Sequence, residues 1–392
     1  MLERIRLHLP HYFSKHVSRK FISLAWSVGF MDLGLASVLI FEPVYLYTLR
    51  HSLSLVMVFY LAVYLLYFLF LPLVVRILSR IGVEHSIFYS QFFLIGYFLC
   101  LFGAAFSIIF LFIAPLMLVA QKLLYWPAYH VDFLLFSDTG QQGREVGSLL
   151  ALSSIMYIIG PLIGGVVALW LGFPFLFLIA GILFFLSALP LLHIKEIHTL
   201  ERETYTGILS HLKEKSQRSK LVRYLGFGEE LLVLVVWPIF IYVVIHNYAV
   251  IGSLIAGATL ITMLIVLVIG KKTDTSSRGA VSRTGTLGYV LAWLLRLIVV
   301  TSGLVFFVDA LSRLTKNMLY VPLMTDLYEQ ADRTKVVGSM IFFEQALSIG
   351  KILGAAGALV LIAVFRDPWG PIFLIAALFS LLYLRGIRRS IA

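Results

Sequence analysis

Charge and cysteine are both scarce in this 392-residue chain. Only 13% of residues are Asp, Glu, Lys or Arg, and Asp and Glu together number 20. A soluble globular surface needs about twice that share of charge, so a water-soluble domain is excluded. The single cysteine, Cys100, sits in an apolar run, which excludes an internal disulfide and a thiolate metal cluster. Neither Asn247 nor Asn317 opens a glycosylation sequon. A cleavable signal peptide is not expected, because the first long apolar run already carries Asp32 and is far too long for one. Channel-type filter sequences are missing as well; Tyr224-Leu-Gly-Phe-Gly228 is too loose to count.

What the chain has is hydrocarbon. Hydrophobic residues make up 60% of it and the mean hydropathy is +0.97. Apolar runs long enough to cross a bilayer recur from end to end, about 20 residues each. Read with their turn signals, they predict an all-α membrane protein of twelve transmembrane helices. The expected spans are 21–46, 52–75, 86–105, 107–136, 146–170 and 173–193, then 221–246, 248–270, 284–301, 303–328, 336–364 and 371–385. Two six-helix bundles, 1–193 and 221–392, follow from this division, joined by a polar linker at 194–220.

An internal echo supports the division. Lys122-Leu-Leu-Tyr125-Trp-Pro127, followed by Asp132, Arg144 and Gly147-Ser148, is repeated as Lys316-Asn-Met-Leu-Tyr320-Val-Pro322, followed by Asp326, Arg333 and Gly338-Ser339. Secondary transporters are commonly built from such repeats, with the substrate held between the halves. The formal net charge of +11 reports topology rather than nucleic-acid binding. Under the twelve-helix reading only Arg50 and Arg366 of the 31 basic residues face outward. Most of the others crowd the N-terminus, the linker, the loop after the eighth helix and the C-terminus. This positive-inside pattern places both termini in the cytoplasm, with anionic lipid head groups as neighbours. A bacterial inner membrane is the expected location. The linker segment 207–215 could form a short amphipathic helix, although charge runs more often mark a solvated tether.

The sequence resembles the major facilitator superfamily over essentially its full length. The stretch Val75-Arg-Ile-Leu-Ser79-Arg80-Ile-Gly82-Val-Glu84 is similar to that family's loop after the second helix, keeping the arginine and the second glycine but not the first glycine or the aspartate. The corresponding second loop, Gly270-Lys-Lys-Thr-Asp274, keeps the glycine and the aspartate. Gly147 and Gly160-Pro161-Leu-Ile-Gly164-Gly165 are similar to the family's fifth-helix motif, with Met156 in place of one glycine. The resemblance implies that the loops latch the halves in one conformation, through Arg80, Gly82, Gly270 and Asp274. It also links Gly160 and Pro161 to proton-exchanging exporters, whereas simple close packing of small residues explains them equally well. It further implies that the first, fourth, seventh and tenth helices line a central cavity.

Ionisable residues in mid-membrane cost about 2.5–3.5 kcal/mol each on insertion scales, so each is a candidate for function. Most of them fall on those four helices: Asp32 and Glu42, Lys122, Glu229 and Glu230, then Asp309, Arg313 and Lys316. Asp309, Arg313 and Lys316 share one helix face, which Tyr320 extends; Lys122, Tyr125 and Tyr129 share another, and Glu344, Ser348 and Lys351 a third. Asp309 with Arg313, and Glu344 with Lys351, could equally be ion pairs within one helix. Arg296, near a helix end, reads as a snorkelling side chain. Asp132 and Asp326 suit a gate, and His130 beside Asp132 is a weak metal suggestion. Asp32 is expected to be the coupling carboxylate, with Lys122, Arg313 and Lys316 as the nearby cations that also meet the substrate.

These readings point to a monomeric secondary active transporter rather than an enzyme. It moves a small anionic or zwitterionic solute by alternating access, coupled to protons or else to sodium, with no cofactor and no nucleic-acid partner. A lipid flippase, a drug/proton antiporter on the same fold and a non-transporting receptor or scaffold are the alternatives.

Overall fold

The computed structural model describes residues 19–136, 142–190, 205, 207, 212, 214–273, 278–331 and 336–385. Every regular element among them is helical. A first set comprises α1 (Arg19–Val38), α2 (Phe41–Thr48), α3 (Leu53–Phe70), α4 (Val74–Ile81), α5 (Val83–Ala104), α6 (Ile109–Phe136), α7 (Gln142–Trp170) and α8 (Phe173–Ala188). A second set comprises α9 (Arg218–Leu225), α10 (Gly228–Ile245), α11 (Tyr248–Thr273), α12 (Arg278–Leu295), α13 (Ser302–Glu329), α14 (Val336–Val364) and α15 (Trp369–Leu381). Among the described residues, eight segments are long and apolar enough to cross a membrane, including Ala25–Thr48, Leu53–Ile81 and Arg218–Ile245. Two shorter apolar helices, Phe173–Ala188 and Trp369–Leu384, accompany them.

Proline and glycine set the breaks inside the expected spans. The first span divides at Leu39–Ile40 because Pro43 has no N–H to offer the Leu39 carbonyl and its ring crowds that oxygen. The second runs on to Ile81, six residues past its expected end, through a 3₁₀ turn at Leu71–Leu73 built around Pro72. Gly82, at φ 85°, stops α4 and opens α5 in a backbone region that side chains disfavour. The ninth span begins at Arg278, six residues earlier than expected. Ser52 and Thr301 cap α3 and α13 by accepting backbone N–H groups at 3.3 Å.

Within the first set, α1 packs on α7 and α8, and α5 on α6 and α8. Within the second, α12 packs on α13 and α15, and α10 on α14. The sets meet along two seams, α3 with α14 and α7 with α11. The second seam is backbone against backbone. A Cβ on Gly252 would lie 2.1 Å from the Pro161 carbonyl oxygen, and one on Gly165 would lie 2.5 Å from that of Tyr248. On its other face α7 presses against α1, where a Cβ on Gly160 would lie 2.4 Å from that of Ala36. The fifth-helix motif thus does the work of close packing on two sides at once.

At one end of the bundle Phe41 and Phe173 meet Tyr248 edge-on. At the other, Phe133 lies 4.6 Å from Tyr328, centroid to centroid. The two sets therefore touch at both ends. Gly252→Val is expected to lower stability by about 1–3 kcal/mol or more through overpacking of this seam. Gly303→Val, at a site where a Cβ meets nothing within 4 Å, should leave the unfolding temperature unchanged. Thermal unfolding of the purified variants in detergent checks both.

Candidate functional site

Glu229 and Glu230 open α10 side by side, so the helix turns their carboxylates to different partners about 100° apart. Glu229 faces inward within the second set and is 0% exposed. It accepts from Tyr289 at 2.5 Å and from Tyr383 at 2.9 Å, and it pairs with Lys316. The Lys316 ammonium also donates to Tyr383 and sits over the rings of Phe227, Tyr289 and Tyr383. One turn earlier on α13, Arg313 donates to Asp309 at 2.6 Å, and the Trp237 indole donates to the same carboxylate at 3.0 Å. The face shared by Asp309, Arg313 and Lys316 is therefore real, but its charges are satisfied inside their own set.

Arg296 does not snorkel. It is 0% exposed, its guanidinium lies 3.6 Å from the centre of Trp293 and 4.5 Å from that of Trp237, and it donates to Ser312 at 2.9 Å. The two indole faces supply a cation–π clamp that spacing along one helix could not reveal.

A second group of charges crosses between the sets. Glu230 pairs with Lys351 of α14 at 2.7 Å, and Lys351 donates to Tyr64 of α3 at 3.4 Å. One and two turns away on α14, Ser348 bonds its own helix, and Glu344 leaves Lys351 to meet the first set. Glu344 accepts from Tyr67 of α3 at 3.1 Å and contacts His130 Nε2 of α6 at 3.2 Å. The other ring nitrogen of His130 lies 2.8 Å from the Tyr328 hydroxyl of α13. The expected Glu344–Lys351 pair within one helix is thus replaced, for Glu344 by Tyr67 and His130 across the seam, and for Lys351 by Glu230 of its own set and Tyr64 across the seam. Among the described residues no three His, Cys, Asp or Glu side chains are grouped to hold a metal.

Asp32 is the main correction. Ser153 of α7 donates to it at 2.5 Å, and Tyr125, Tyr129 and Tyr157 lie within its electrostatic reach. The expected cations are elsewhere: Arg313 with Asp309, Lys316 with Glu229, and Lys122 over the Tyr64 ring at 5.4 Å. The cause is packing, since α1 lies chiefly against α7 and α8 rather than α13. Tyr320 does face the centre, stacked edge-on to Phe227 and within reach of Glu230 and Tyr129. Glu42 is held by Tyr60 at 2.6 Å and by Tyr97.

Of the expected gating residues, Arg80 is exposed in the last turn of α4, next to Gly82. Gly160 and Pro161 lie in the packed seams described above. Gly270 falls in α11, while Asp274 lies outside the described residues. Asp326, the second-copy aspartate, pairs with Arg223 of α9 at 2.8 Å. Sequence reasoning missed Tyr64, Tyr67, Tyr289, Tyr383 and the interfacial role of His130. Their partners are far apart in the chain; the one available signal was the i, i+4, i+7 spacing of Tyr60, Tyr64 and Tyr67, which marks a hydroxyl face on α3.

Removing one partner of a buried pair strands the other, at a cost of about 3–5 kcal/mol. Glu229→Ala should therefore destabilise the protein by that order, and Lys316→Met alone should cost less because tyrosines still serve the carboxylate. The double variant should recover most of the loss. A double-mutant cycle on thermal unfolding in detergent reads the coupling; additive effects would free Lys316 for a ligand.

No protein-family model and no curated protein matches the chain. Solved structures do. A crystal structure of a point variant of the nucleoside transporter NupG superposes with a TM-score of 0.69 at 12% identity, covering 93% of this chain and 98% of that one. NupG itself gives 0.66 at 14% identity, covering 94% and 98%. A POT family transporter in complex with 5-aminolevulinic acid gives 0.67 at 14%, covering 93% and 94%. This chain therefore has the fold of the major facilitator transporters.

Proposed function

We propose that this protein is a secondary active transporter that moves a small polar solute between the two helix sets by alternating access, driven by protons. In this reading it has twelve membrane helices in two bundles, 1–193 and 221–392, with the 194–220 linker and both termini in the cytoplasm of a bacterial cell. The observation that carries it is the belt of charged and hydroxyl side chains across the interface. Glu230, Lys351 and Tyr64, with Glu344, Tyr67, His130 and Tyr328, join the halves through contacts that can exchange. An apolar scaffold alone would not need to place charged and hydroxyl groups on the plane where its halves separate.

Charge balance guides the substrate class. Arg313 and Lys316 each carry an acid partner, so these two bases lend no support to an anionic cargo. Asp32 and Lys122 stand out because neither has an oppositely charged group in contact among the described residues. A solute bearing both charges fits that pair of opposite groups. The 5-aminolevulinic acid bound to the POT family neighbour is such a molecule, and the nucleosides named for NupG are polar solutes of similar size.

Asp32 is assigned the coupling role. It is a membrane carboxylate served by one hydroxyl, so proton binding does not have to break an ion pair first. Asp32→Asn mimics the protonated form. In proteoliposomes, an imposed pH gradient should drive accumulation of one of 5-aminolevulinate, dipeptides or nucleosides. Asp32→Asn should abolish accumulation while keeping exchange of labelled for unlabelled solute. Wild-type accumulation in that variant would remove Asp32 from the coupling step, and absence of flux for every solute class would overturn the transporter reading.

A further inference from the structure

Tyr64 of α3 is shared by two lysines from opposite helix sets. The Lys351 ammonium, from α14, lies 5.0 Å from the centre of its ring and donates to its hydroxyl at 3.4 Å. The Lys122 ammonium, from α6, lies 5.4 Å from the same centre. Two like charges drawn to one ring repel each other, and a ring face offsets only part of that, about 0.5–2 kcal/mol per cation. Glu230 touches Lys351 at 2.7 Å, and both Glu230 and Glu42 lie within electrostatic reach of Lys122. Lys122 has no hydrogen-bonded carboxylate among the described residues, although its three N–H groups require acceptors.

The remaining acids nearby are already supplied with donors. Glu42 takes Tyr60 and Tyr97, Glu344 takes Tyr67 and His130, and Glu229 takes Tyr289, Tyr383 and Lys316. None of them is hydrogen-bonded to Lys122. An oxyanion with two or more oxygens could accept from both ammonium groups at once, which the single Glu230 contact does not do.

Building on the transporter reading, we infer that Lys122 and Lys351, which both lie at the Tyr64 ring, bind the acidic group of the transported solute, a carboxylate or a phosphate. Glu230 stands in for that group on Lys351 in this structure, and the incoming oxyanion takes its place. Because Lys122 and Lys351 belong to different sets, the bound acid ties the halves together. Release of one lysine then accompanies their separation. Arg313 and Lys316, each committed to an acid of its own set, take no part in this site.

The test uses the purified full-length chain and two matched pairs of probes: 5-aminolevulinate with its methyl ester, and adenosine 5′-monophosphate with adenosine. In each pair only the acidic group differs. Binding is followed by thermal stabilisation and titration calorimetry. The acid of at least one pair should bind at least about tenfold more tightly than its neutral partner. The pair that responds distinguishes carboxylate from phosphate. Lys122→Met strands no carboxylate and should weaken that binding by about tenfold or more. The double variant Glu230→Gln/Lys351→Met, which removes acid and base together, should do the same. Equal binding of the acid and neutral members, or unchanged acid binding by Lys122→Met, would overturn the site. If proteoliposomes carried a solute without an acidic group, and Lys122→Met carried it as well as wild type, transport would stand and this site would fall. Lysine-dependent acid binding with no flux of any solute would instead uphold the site and overturn transport.

Discussion

Ionised groups placed in an apolar bundle must find partners, and this requirement organises the whole molecule. Each buried charge costs several kcal/mol unless it is paired or bonded. Within the second set the requirement is met locally: Glu229 with Lys316 and two tyrosines, Asp309 with Arg313 and Trp237, Arg296 between two indoles. Those clusters stiffen the set. Along α14 the same requirement is met partly across the seam, by Glu344 reaching Tyr67 and His130 and by Lys351 reaching Tyr64, while Glu230 of its own set pairs with Lys351. Stability of the halves and attachment between them thus come from the same physics, directed to different partners.

The two seams divide the labour. Between α7 and α11 the approach is backbone to backbone, through Gly165, Gly252 and the Pro161 carbonyl, and these close contacts involve no charge. Such a surface lets one helix slide or tilt against another at little cost in broken bonds. Between α3 and α14 the contact is polar and specific, and it holds only while its hydroxyls and ions are in register. In the proposed alternating-access cycle, the smooth seam would serve as the hinge and the polar seam as the catch.

Much of the fold was legible in the sequence, because hydropathy and proline report helices directly. The eleventh span, 336–364, coincides with α14, and the charge-bearing faces of α13 and α14 were placed by spacing alone. The pairing of Asp309 with Arg313 was also readable, since both partners sit four residues apart. Partner choice between distant helices was not. Asp32 was expected beside a cation, yet α1 meets α7, so Ser153 serves it instead. Arg296 was expected to reach the surface, but Trp237, nearly sixty residues away, closes over it. Tyr60, Tyr64 and Tyr67 share a face by their spacing, but only the fold brings α14 to Tyr64 and Tyr67.

The central claim is that the halves rock about this interface, so that closing one end opens the other. It is tested most directly by pulsed dipolar distances between spin labels in lipid nanodiscs, in a background without Cys100. One label pair spans the end marked by Arg50 and His246; the other spans the end marked by Arg80 and Glu329, all exposed positions. Measured at acidic and at alkaline pH, with and without transported solute, the two distance distributions should shift in opposite directions. Distances that stay fixed at both ends, or that widen together, would contradict the account.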